Sequence, residues 1–333
     1  MKAAYIHQPG PPESIVYGDL PDPSPGPTHC LVRVGAVAVN PVDTYIRGGT
    51  VPMNLPSPFV VGSDLAGTVV ATGSAATRFK PGDRVWGSNQ GLLGRQGTFS
   101  ELVAVDETWL YPIPSGVAED TAAAVALVGI TAHLGLFRDA RVRATETLFV
   151  NGGSGGVGSM VVQMAKLTGL RVITTAGSAE KAELCRALGA DLVILHREQD
   201  LAAALREAAP GGVDVWWETL REPDFDRAVT ALGPRGRMIL NAGREARPPF
   251  PVGPFYVKGC SLHGFVMFMA RPDEQRACAE DINRWLGSGQ LRPNIDRVLP
   301  LAETATAHRL QEENTVLRRG VLHGKLVLKP AHG

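Results

Sequence analysis

The run TLFVNGGSGGVGSMVVQMAKL holds the residues with the plainest chemical consequence. Gly153, Gly155 and Gly158 fit a Gly-x-Gly-x-x-Gly spacing, and Gly152, Gly155 and Gly158 fit Gly-x-x-Gly-x-x-Gly. An apolar strand precedes them and a helical apolar repeat follows, so the helix amino terminus would turn the Gly156 and Val157 amides toward a pyrophosphate. Glycines alone are also compatible with a tight strand–helix turn; the βαβ setting favours a dinucleotide. The next strand ends TTAGSAEKAELC, at the place where NAD-binding chains carry an acidic residue for the ribose 2′-hydroxyl. Gly177 and Ser178 stand there instead, with Lys181 one helical turn on, so a 2′-phosphate would meet a hydroxyl and a cation. Glu180 argues the other way, and Lys181 could equally be a solvated helix residue; the balance favours NADP. A third cluster, AVNPVDTYIRGG, packs Asn40, Asp43, Tyr45 and Arg47 into a turn after a strand. It could bind a polar ligand, or Asp43 could cap a helical turn, Arg47 pair with it and Tyr45 pack.

Proline shows which elements must position these groups, because it breaks helix interiors and central strands. Eleven of the 25 prolines lie in residues 1–60, and none lies between Ser115 and Ala209. CLVRVGAVAVN and FVVGSDLAGTVVATG are β-branched runs between Pro/Gly clusters, and PGDRVWG is a turn entering a strand. The alanine-rich TAAAVALVGITAHLGLF suits a helix. From TLFVNGG to RMILNAG, strands then alternate with helices, which implies parallel strands with right-handed crossovers, a doubly wound domain over residues 123–268. The remainder, two helices and the strand GKLVLKP, is too small to fold comfortably alone and is expected to return to the N-terminal part.

The 333 residues suit roughly two domains of about 100–200 residues. Lys+Arg and Asp+Glu number 33 each, so there is no broad basic field for nucleic acid or an anionic membrane. No signal-like segment and no run of about 18 apolar residues is present, so a soluble, cytoplasmic protein is expected. Cys30, Cys185, Cys260 and Cys278 lie far apart without CxxC spacing, which suggests reduced thiols rather than a disulfide framework or a four-sulfur zinc site. The apolar CSLHGFVMFM, near the end of the parallel sheet, would leave an edge exposed unless paired.

The motifs NPVDTYIRGG, FVVGSDLAGTVVATG, KPGDRVWG, GSGGVG, TAGSAEKAELCRALGAD, ILHRE and GKLVL, in this order and over nearly the whole length, resemble the zinc-independent medium-chain dehydrogenases/reductases of the quinone oxidoreductase (zeta-crystallin-like) type. The resemblance implies an α/β protein: a GroES-like β-rich catalytic domain, residues 1–122 completed by 269–333, plus a doubly wound Rossmann domain with a parallel sheet, 123–268. It places Ser154, Gly155, Gly156 and Val157 on the pyrophosphate, and Gly177, Ser178, Lys181 and His196 around the 2′-phosphate. It also places Asn241, Ala242, Gly243 and Arg244 along the cofactor, and Thr131, Phe265, Val266 and Met267 beside the nicotinamide. Tyr45 and Asn40 match residues of the hydride-transfer cleft, where they would hydrogen-bond the acceptor oxygen. Val51 replaces a second cleft tyrosine, His133 replaces an aromatic, and a structural role competes for His196.

Zinc-dependent relatives carry cysteine where Asn40 stands and Gly-His-Glu where Gly62-Ser63-Asp64 stands, so no zinc is expected. The implied activity is NADPH-dependent reduction of a quinone. An enone or alkenal reductase is the alternative enzyme, and a non-catalytic RNA-binding or structural protein of the zeta-crystallin kind the alternative of another class. The implied assembly is a homodimer or homotetramer, with the edges of neighbouring subunits paired.

Overall fold

The computed structural model describes residues 1–331. Backbone proximity divides the chain into two units, Met1–Leu127 together with the segment from Ala279 onward, and Val128–Cys278. Both divisions fall inside helices, Glu119–His133 and Pro272–Gly287, later than the expected 122/123 and 268/269. Composition changes where an element begins, whereas the neighbours of a helix can change part-way along it.

In the first unit the β-branched run becomes the strand His29–Val39, which pairs antiparallel with Leu65–Thr72, Leu102–Asp106 and Lys325–Lys329. Leu326 lies opposite Val39, so the last strand closes onto the first long one. FVVGSDLAGTVVATG is broken into Phe59–Val60 and Leu65–Thr72. Gly62 between them has φ +97°, and a Cβ there would lie 2.0 Å from the Phe99 ring, so only glycine fits. NPVDTYIRGG forms a short helix, Pro41–Arg47, rather than a bare turn. Pro41 at its first position has no amide hydrogen to lose, and Asp43 Oδ2 accepts from Asn40 N at 2.7 Å.

In the second unit six parallel strands run in the spatial order Leu192–Leu195, Arg171–Ala176, Thr147–Asn151, Val213–Glu218, Leu232–Leu240, Ser261–Gly264. The chain moves outward from Thr147–Asn151, then returns to its other side with Val213–Glu218. That reversal creates the crevice where doubly wound sheets bind ligands. Phe149 and Trp216 meet at 4.3 Å between ring centroids in one core layer, with Ile173, Ile194 and Met238. The apolar helix from Glu119 continues through a π-helical stretch, Leu134–Asp139. Its 21 residues, with mean hydropathy 1.5 over the most apolar window, could span a bilayer by length, but 83% of that window is buried in the fold. A helix that is apolar all round is at home in such a core.

Candidate functional site

Because the sheet is parallel, the carboxyl ends of its strands lie along one edge, and the segments that follow them share it. Ser154–Val157 follow Thr147–Asn151, Gly177 and Ser178 follow Arg171–Ala176, and His196 follows Leu192–Leu195. Asn241–Arg244 follow Leu232–Leu240, with Gly243 turning at φ +80°, and Phe265–Met267 follow Ser261–Gly264.

The glycines divide by purpose. Gly152 has φ +94°, and a Cβ on Gly158 would lie 2.1 Å from the Gly152 carbonyl oxygen, so the turn and the close helix–strand approach demand both. Gly155 is exposed, and its Cβ would come no nearer than 3.5 Å to any neighbour. The fold itself would accept a side chain there; the space it leaves lies on the outside of the loop. The helix Gly156–Leu167 begins at Gly155 with no side-chain cap and no acidic residue in its first turn. The helices Ala179–Ala187, Leu201–Ala208 and Phe225–Ala231 are each capped, by Ser178, Asp200 and Asp224. Orphan amides plus the positive end of the helix dipole suit a phosphate.

At the end of the second strand, Ser178 accepts from Lys181 N at 3.4 Å, so its hydroxyl is the cap of the following helix. A Cβ on Gly177 would lie 3.3 Å from His196 Cε1 and 3.7 Å from Arg197 Nε, so an imidazole and a guanidinium flank this glycine. Burial, and then the neighbouring Arg197 charge, lower the His196 pKa, which disfavours its cationic form. The Arg197 guanidinium is the cation beside Gly177, and Lys181 stands on the first turn of the helix that follows. The sequence reading passed over Arg197 although it is the next letter of ILHRE. Neither cation forms an ion pair among the described residues.

Thr131 and His133 are nearly buried on the apolar helix, His133 against Phe137 at 4.5 Å between centroids. The Arg138 guanidinium lies 5.3 Å from the Phe265 ring centroid, and Val266 is 51% exposed. Met267 is only 2% exposed and its carbonyl accepts from Gln275 Nε2 at 3.0 Å. Its side chain packs into the unit, while Val266 beside it stays open to solvent.

The first unit holds a buried polar cluster around the start of the Pro41–Arg47 helix. Asn40 is fully buried: its Nδ2 donates to Asp64 Oδ2 at 2.8 Å and Ala38 O at 3.3 Å, and its Oδ1 accepts from Lys325 Nζ at 2.5 Å. Ser63 Oγ donates to Asp43 Oδ1 at 2.5 Å. Burial pushes Asp43 up to about 7 and raises Asp64, while burial lowers Lys325. With both amide hydrogens engaged, Asn40 cannot donate to an acceptor oxygen as expected from its alignment; it braces the cluster. Tyr45, two residues beyond Asp43, is half-buried and keeps part of its side chain accessible. Among the described residues, no group of three or more His, Cys, Asp or Glu side chains is placed to hold a metal ion.

Residues 26–115 match the alcohol dehydrogenase GroES-like domain, and residues 156–283 match the family described as zinc-binding dehydrogenase. The quinone oxidoreductase of Sus scrofa is 32% identical over 332 residues, covering 98% of this chain and 97% of its own. A 2-haloacrylate reductase of a Burkholderia species is 30% identical over 322 residues, covering 92% and 94%. Among solved structures, an NAD-dependent alcohol dehydrogenase superposes with TM-score 0.88 at 30% identity over 99% of both chains. The Escherichia coli quinone oxidoreductase complexed with NADPH superposes with TM-score 0.87 at 26% identity, covering 99% of this chain and 100% of its own.

Proposed function

We infer the reaction from one premise: this chain belongs to the quinone oxidoreductase family of the medium-chain dehydrogenases/reductases. It is an oxidoreductase that takes NADPH and reduces a quinone without zinc. The observation that carries the reading is the uncapped helix at Gly155, open on the outside of the loop, beside three neighbours that carry their own caps. Ser154–Val157 hold the pyrophosphate, and Lys181 and Arg197 meet the 2′-phosphate with charge-assisted contacts. Bound there, the reduced nicotinamide supplies the hydride. Tyr45 donates a hydrogen bond to the acceptor oxygen as negative charge develops on it, while Asn40, Asp43 and Ser63 hold the turn that carries Tyr45.

The likeness to a 2-haloacrylate reductase favours a second reading, reduction of an electron-poor alkene conjugated to a carbonyl. Steady-state NADPH oxidation with a panel of quinones and enones decides between them: higher kcat/KM for quinones supports the first, higher kcat/KM for enones the second, and no turnover of either class sinks both.

The protein assembles as a dimer, or a multiple of it, through the edge strand Ser261–Gly264. This strand is last in its sheet, and around it Val257, Tyr256, Met269 and Val252 are 75%, 69%, 72% and 63% exposed. An unpaired edge beside exposed apolar side chains is covered at low cost by a second copy. Light scattering at micromolar concentration is expected to give at least twice the chain mass of 35.4 kDa; a monomer refutes the pairing.

A further inference from the structure

Glu218 ends the strand Val213–Glu218 and lies directly opposite Asn151, which ends Thr147–Asn151, at the point where the strand order reverses. The carboxylate is 1% exposed. It accepts from Asn151 Nδ2 at 3.1 Å on each oxygen, from Trp216 Nε1 at 3.2 Å and from Leu220 N at 2.8 Å. A carboxylate only accepts, so the Asn151 amide must point its NH2 group at Glu218 and its oxygen away. That oxygen accepts from the Thr175 hydroxyl at 3.1 Å. The hydroxyl has one hydrogen, and with it committed, its lone pairs accept from the Gly152 amide at 2.8 Å.

The hydrogen bonds therefore form a chain with one polarity, from a buried negative charge to the first residue of the glycine loop. Every group in it has its direction set by the one before. Gly152 is also the residue whose left-handed φ of +94° starts the loop. We propose that Glu218 is a positioning residue for the pyrophosphate loop, acting through Asn151 and Thr175 on the Gly152 amide. The proposal rests on the dinucleotide reading above.

Glu218→Gln keeps the shape but turns an NH2 group toward donors, so the direction of the chain is lost. Dissociation constants are measured by calorimetry for NADPH, NADH and adenosine 2′-monophosphate, which carries the 2′-phosphate but no 5′-phosphate for the loop to hold. NADPH and NADH should weaken by the same factor, roughly tenfold for a broken buried network, and the 2′-monophosphate should bind as to the wild type. Equal weakening of all three would mean that Glu218 merely supports the domain, and would overturn the proposal. Unchanged or tighter NADPH would do so too, the latter marking Glu218 as a charge that only repels the ligand. If this variant does not fold, Thr175→Val cuts the same chain one step later and should show the same pattern at roughly fivefold; its failure to do so is equally decisive. A wild type that binds neither NADPH nor NADH removes the dinucleotide reading and this inference with it. A wild type that binds both, beside an unaltered variant, removes this inference alone.

Discussion

Replacing Arg197 with alanine tests the cofactor assignment at its most exposed point. The guanidinium stands beside Gly177, with Nε 3.7 Å and Cζ 3.8 Å from where a Cβ would sit, and it is solvent-exposed with no ion-pair partner among the described residues. A unit charge about 4 Å from another contributes ~1 kcal/mol in bulk water and ~4 kcal/mol at an effective dielectric constant of 20. Charge-assisted hydrogen bonds fall at about 1.5–3 kcal/mol. Exposure places Arg197 toward the lower end, ~1–2 kcal/mol, or roughly five- to thirtyfold in NADPH affinity. NADH lacks the phosphate and should change less than about twofold. Lys181→Ala should behave alike. Fluorescence titration of both nucleotides at low and high salt checks this, because the Debye length shrinks from about 10 Å at 0.1 M to about 3 Å at 1 M and the NADPH effect must shrink with it. Equal losses for NADPH and NADH, or a wild type that prefers NADH, would refute the reasoning and leave Arg197 a surface residue.

Tyr45→Phe should leave NADPH affinity intact and lower kcat between roughly ten- and a thousandfold, as expected for a donor to developing charge; unchanged turnover with chemistry rate-limiting reduces Tyr45 to packing. Stoichiometric zinc by elemental analysis, with activity lost to a chelator, would contradict the zinc-free mechanism, for which a chelator leaves the rate unaltered. His308 is fully buried without a hydrogen-bond partner among the described residues, and burial, aided by the Arg47 charge, pushes it down to about 3. The unfolded imidazole takes up a proton near its ordinary value of 6.5 that the folded one refuses, so this group's stabilisation is complete above 6.5 and is lost as pH falls toward 3. Asp43, raised from 3.8 to about 7, acts with the opposite sign, its contribution being complete below 3.8 and lost as pH rises through 7. His308→Leu should therefore remove about 1.4 kcal/mol of stability gain per pH unit between pH 4 and 6; denaturant melts with the wild-type slope would show that His308 is protonated in the fold.

Much of the second unit was legible because its signals are local. Periodicity and Gly/Pro punctuation locate the strands and helices of a βαβ series without knowledge of distant contacts, and the glycine spacing follows from sterics within a few residues. The first unit was less legible. Its long strand pairs with segments 30 or more residues away, and Gly62 breaks a run that reads as continuous because Phe99, far along the chain, occupies the space. Arg197 was missed because what gives it meaning is the packing of the 192–195 strand beside the 171–176 strand, which brings it to Gly177. Nothing near Glu218 in sequence hints at Thr175.

The same reasoning separates identity from availability at Asn40. Its alignment with a cleft residue suggested a donor to substrate, and its chemistry would allow that; the fold has spent both hydrogens and a lone pair on Ala38, Asp64 and Lys325, the last of them 285 positions away. The positions that resemble the zinc ligands of metal-dependent relatives present an amide oxygen already in contact with an ammonium and a Ser63 hydroxyl already donating to Asp43. A divalent cation brought to these atoms would displace the Lys325 charge and find neither imidazole nor thiolate. Lys325 donates to Val39 O and to Asn40 Oδ1, and its charge acts at longer range on Asp43 and Asp64, whose pKa values burial raises; the cluster thus has its own resident cation, contributed by the last strand of the chain. Removing Lys325 would leave the Asn40 amide oxygen without its buried donor and both carboxyls without the cation that favours their charged forms. The returning C-terminal strand thus completes the polar cluster at the turn that carries Tyr45.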